Sequence, residues 1–128
     1  MTDSRTPDDI PSARAATLAR AKELKERSRA LVARALELRM ESDALHLQRR
    51  RVGDVNSSLM EELRTSVEEY AAALRILGET PEHMVIRVKE IAVDAGREVE
   101  NRIPRRHFDH DGLREDIVRW ATQAYFAS

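Results

Sequence analysis

A chain of 128 residues, 41% hydrophobic but only 4% aromatic, can bury one core, and that core must be mostly Leu, Val, Ile and Ala. Four Gly and four Pro are few, which favours helices over turn-rich β structure; the lack of Cys excludes a disulfide framework and thiolate chemistry. The formal net charge of −1 hides a split: residues 12–52 hold 11 basic and 5 acidic side chains, net +6, and residues 53–100 hold 5 and 11, net −6. Two such segments are expected to face each other, within a chain or between chains.

Residues 1–11 are polar and acidic, with no apolar core of a secretory signal, and read as a disordered tail. No apolar run approaches the roughly 20 residues needed to span a bilayer. No membrane role is expected, and a cytoplasmic location is. The 19 Arg against 3 Lys suggest a GC-rich bacterial genome, which concerns codons and not physics.

Residues 12–52 read as one long helix. It starts near Pro11-Ser12, is filled with Ala, Leu, Arg, Glu and Lys, and stops at Gly53 as its C′ residue. Along it runs a ladder: Leu24, Leu31, Leu38, Leu45 and Val52, seven residues apart. Ala21, Ser28, Ala35 and Ser42 each stand three places before a Leu. This is a heptad seam with small residues at a and Leu at d. Small a residues let another helix approach closely. A 41-residue helix is about 60 Å long and overhangs a compact domain of this size. The ladder is therefore expected to be an assembly seam, covered by a second copy or another protein. A parallel homodimer sets Arg34 against Arg39; an antiparallel pairing with the acidic second helix, carrying Glu61, Glu62, Glu68 and Glu69, is favoured.

The second helix is expected over 58–77, opened by a capping box at Ser58 and Glu61 and closed by Gly78. Its apolar face, Leu59, Leu63, Val67, Tyr70, Leu74 and neighbours, is wide enough for more than one partner helix. Thr80-Pro81-Glu82 announces the third, with Met84, Val88, Ile91, Ala95 and Val99 at helical spacing, to Gly96 or on to about Asn101. After a linker around Pro104, a fourth begins at Asp109 or Asp111 and runs to about Tyr125. Leu113, Ile117, Trp120, Ala121 and Ala124 share its inner face. The expected fold is all-α, a single domain. A long N-terminal helix forms an antiparallel helical hairpin or coiled coil, and residues 53–128 form a three-helix head as a small C-terminal bundle.

Arg49, Arg50 and Arg51 could contact phosphate, but cations at a helix C-terminus are expected from the dipole alone. Arg102, Arg105, Arg106 and His107, beside Phe108, are the second candidate anion or nucleic-acid contact, diluted by Asp109 and Asp111. His107, Asp109, His110 and Asp111 match no established zinc spacing, and an N-capping Asp is the plainer reading. His46 has no adjacent acid to orient it for phosphotransfer. His83, at the third position of its helix, reads as a surface residue. Glu61-Glu62 and Glu68-Glu69 show no acid/base arrangement. Trp120 reads as a core anchor, with Tyr125 and Phe126 closing the bundle. No catalytic residue, metal site or cofactor is expected.

The functional reading is a non-enzymatic protein–protein interaction module: an adaptor, scaffold or regulatory subunit. It acts through helix-mediated oligomerisation, a homodimer being favoured, and through binding of another protein. The alternative is a nucleic-acid-binding regulator that uses the arginines at 49–51 and 102–106.

Overall fold

The protein is an all-helical bundle. The computed structural model describes the backbone of residues 5–44, 49–102 and 111–127, and the side chains of residues 12–39, 57–102 and 112–127. Among the described residues four helices follow in order: α1 (Arg5–Ala44), α2 (Arg49–Ile76), α3 (Pro81–Arg102) and α4 (Asp111–Ala127). None of them, over the described residues, is long and apolar enough to cross a membrane.

Each of α1 and α4 packs against both α2 and α3, while α2 and α3 touch more lightly. The four helices thus surround one core, with α2 and α3 on a diagonal. Contacts between α1 and α2 run in opposite senses: Arg14 reaches Leu77, Arg20 reaches Glu69, and Ser28 reaches Ser66. Contacts between α1 and α3 rise together, Arg29 with Glu98 and Glu37 with Arg102.

The turn between α2 and α3 forms as its residues dictate. Gly78 has φ of 85°, the left-handed conformation that a side chain disfavours. Its N–H donates to the Arg75 carbonyl at 3.0 Å, and the Glu79 N–H donates to Leu74 at 3.0 Å. This pair of bonds is a Schellman cap with Gly78 at C′. Two residues later the Thr80 hydroxyl accepts from the His83 N–H at 3.2 Å, with Pro81 in the first helical position. The end of α4 is fastened here as well: the Tyr125 hydroxyl donates to the Glu79 carbonyl at 2.6 Å, and Arg75 donates to the Tyr125 carbonyl at 2.5 Å.

The first boundary differs from the sequence expectation. α1 ends at Ala44 and α2 begins at Arg49, so Gly53 and Ser58 both lie inside α2 instead of closing one helix and capping the next. An interior Gly costs a helix only about 1 kcal/mol, which packing along its length outweighs. α2 therefore has 28 residues where 20 were expected, and α1 starts at Arg5, within the segment expected to be a tail. α3 also runs through Gly96 to Arg102.

The longer α2 changes what covers the ladder. Ala21, Leu24, Ser28, Ala35 and Leu38 are buried inside this same chain, and Leu31 is half-buried. Over residues 21–38 the seam is satisfied internally by α2 and α3. Ser42, Leu45 and Val52 lie outside the described side chains. Val32, Ala33 and Leu36 are buried too, giving α1 a second apolar stripe. The inner faces of α3 and α4 are the expected ones: Met84, Val88, Ile91, Ala95 and Val99 from one, and Leu113, Ile117, Trp120 and Ala121 from the other, all buried.

Candidate interaction surface

An exposed surface follows the seam between α1 and α2. At its base the hydroxyls of Ser28 and Ser66 hydrogen-bond at 2.7 Å, both buried. The Ser66 hydroxyl also lies 3.4 Å from the Leu24 carbonyl. Small side chains draw the helices together at this point, as the a positions of the heptad require. Towards the start of α1 an open groove of about 520 Å³ lies between the two helices. Ala16, Thr17 and Leu24 line one side, and Ala72, Ala73 and Ile76 the other. Ile76 is 73% exposed at its end, an aliphatic side chain with little cover.

Charge borders this groove asymmetrically. Arg20, Arg27 and Arg34, spaced by seven, form an exposed basic stripe on α1, and Glu62 and Glu69 are exposed on α2. Arg20 bonds to Glu69 at 3.0 Å and lies 3.5 Å from Glu23. Arg34 lies 3.5 Å from Glu37, and Glu68 lies 3.7 Å from Arg64 in its own helix. The basic and acidic halves of the chain do meet, though part of the acid comes from α3. The partly covered Arg29 is held in its charged form by hydrogen bonding to Glu26 first, and then by the charges of Glu26, Glu98 and Asp94.

The other candidate residues fare differently. Arg102 bonds to Glu37 at 2.6 Å and to Glu98 at 2.8 Å, tying the end of α3 to α1. Its charge is taken up by two carboxylates, so it is a poor phosphate contact. Arg102→Ala is expected to cost less than about 1 kcal/mol, as half-exposed ion pairs do. A thermal melt showing a much larger loss would reveal a buried network there. Arg49, Arg50 and Arg51 open α2 instead of closing α1, so the dipole no longer accounts for them. Their side chains lie outside the described ones, as do Arg105, Arg106, His107, His46 and the rest of the 107–111 cluster. Among the described residues no group of His, Asp and Glu could hold a metal ion.

His83 is at the surface, 3.4 Å from Glu79. Trp120 is buried, with the Arg64 guanidinium 5.9 Å from its ring centroid. Tyr125 closes the bundle, whereas Phe126 is exposed. Sequence reasoning missed Ser66 and Ile76. The first is a polar residue three places after Leu63 on the inner face, a signal for a buried hydrogen bond. The second stands next to the C-terminal cap, where periodicity is weakest. Comparison with family models, curated proteins and solved structures finds no match for this chain.

Proposed function

We propose that the protein is a non-enzymatic helical interaction module, an adaptor, scaffold or regulatory subunit. In this reading α1 and α2 form an antiparallel hairpin of coiled-coil character, and its outer face docks a second copy. The observation that carries the reading is Ile76, exposed and lining a groove with the small residues Ala16, Thr17, Ala72 and Ala73. Small residues lining a groove let a further helix approach, and an exposed aliphatic side chain supplies an anchor. The charges suit a two-fold axis through the groove. With Arg20 and Glu69 paired within each chain, such an axis leaves Arg27 and Glu62, neither of which has an ion-pair partner among the described residues, to meet across the copies.

The interface thus sits beside the ladder and not on it. Sedimentation velocity across the micromolar range is expected to show a concentration-dependent dimer for the wild type. Ile76→Asp should be monomeric with unchanged helicity, because a surface substitution away from packed features shifts stability by only about 0.5 kcal/mol. A wild type that stays monomeric throughout would end the self-association reading.

A further inference from the structure

On the other side of α1, the structure holds a pocket of about 200 Å³ between α1, α2 and the start of α3. Tyr70 lines it and is only 2% exposed. Among the described residues its hydroxyl has no hydrogen-bond partner. Such a group lowers stability unless something pairs with it. Burial raises the phenol's pKa above its usual value, with Arg87, Glu90 and Glu79 as the nearby charges. Two of those three, Arg87 and Glu79, line the pocket together with Tyr70. At neutral pH this hydroxyl is protonated and can donate.

The remaining walls divide by chemistry. Leu18, Ala21, Leu74 and Leu77 are apolar, and Leu18 is 47% exposed with no apolar cover of its own. Lys22, Lys25 and Arg87 bring three positive charges against the single carboxylate of Glu79. Glu79 is bonded to Arg87 at 2.8 Å, whereas neither Lys22 nor Lys25 has an ion-pair partner among the described residues. A water molecule can satisfy the Tyr70 hydroxyl and solvent reaches both lysines; what favours an anion with an aliphatic tail is that Lys22 and Lys25 stand beside the same apolar wall.

We propose that this pocket binds a small anionic amphiphile, a short-chain aliphatic carboxylate whose head takes the Tyr70 hydroxyl bond under Lys22 and Lys25 and whose tail lies on Leu18, Leu74 and Leu77. The size fits: a cavity of about 150 Å³ accepts a six-carbon ring, so this one accepts about eight heavy atoms, the size of hexanoate. The site is separate from the α1–α2 groove, and it stands or falls independently of self-association.

The test is an amide NMR titration of the full chain with sodium hexanoate, beside hexan-1-ol and hexylammonium. Hexanoate is expected to shift the amides of Leu18, Ala21 and Leu74 saturably, and the alcohol and amine far less. Tyr70→Phe should weaken hexanoate about tenfold, the loss of one charge-assisted hydrogen bond, while melting at the same or a higher temperature. Lys25→Met should weaken it about threefold, and it provides the same comparison if the Phe variant fails to fold. Equal binding of hexan-1-ol would overturn the proposal, as would shifts that do not saturate. Tyr70→Phe with a lower melting temperature and unchanged hexanoate affinity would do so too, since the hydroxyl would then be held by water alone.

Discussion

Leu24→Asp is expected to unfold the chain and not merely release a partner. Leu24 is 1% exposed, at the point where α1 meets α2 beside Ser66. An Asp there must bury a charge or take up a proton to avoid it. Either route, with the lost apolar contacts, costs about 4 kcal/mol or more. A small domain has about 5–15 kcal/mol in total, so most of the margin goes. Leu31→Asp should be milder, because Leu31 is only half-buried. Far-UV circular dichroism with sedimentation separates the two meanings of the ladder. A Leu24→Asp protein that keeps its full helicity and loses only its association would show that the seam joins chains, and would contradict the packing described above.

The hydroxyl pair at the base of the α1–α2 seam should behave as a unit. Ser66→Ala removes one partner and leaves the buried Ser28 hydroxyl without its bond across the seam, at a cost of about 1–3 kcal/mol. Ser28→Ala should cost a similar amount for the reciprocal reason. The double change to Ala leaves no orphan at this pair, and its loss should fall well below the sum of the two singles. Denaturant unfolding of the four proteins in a double-mutant cycle measures this coupling. Strictly additive losses would mean the two hydroxyls do not depend on each other. If the pair does couple, it also disfavours sliding α1 along α2, since a four-residue slip parts the two hydroxyls and sets Ser66 against Leu24 or Val32.

Much of the fold was legible because caps and periodicity are local. Gly78, Thr80 and Pro81 mark their turn by backbone chemistry alone, and the apolar faces of α3 and α4 can be counted off the sequence. The first connection was not legible. Gly53 and Ser58 carry end signals that a continuous helix overrides at small cost, so only the packing partner decides. The ladder teaches a related point. A seven-residue period says that a face is buried, and it is silent on which molecule buries it. Val32 and Leu36 lie outside the a and d positions and are buried all the same, because a heptad seam assumes one partner helix and α1 has two. The pocket at Tyr70 was invisible for another reason: Lys22, Lys25, Tyr70 and Arg87 come from three helices, and no spacing along the chain announces them.

The cap at Gly78 gathers distant parts of the chain at one pole. Arg14 reaches the Leu77 carbonyl and Tyr125 reaches Glu79, so positions 111 residues apart in sequence lie within two residues of the same glycine. This placement sets how the fold responds to load. A pull applied between residues 14 and 125 acts on both strands of attachment at the same pole. It peels α1 and α4 away from the turn one contact at a time, rather than shearing whole helix faces at once. The bundle should therefore yield at low force as an unzipping structure. A pull between residue 14 and the opposite pole, where α1 ends, stretches α1 along its own axis and should meet greater resistance.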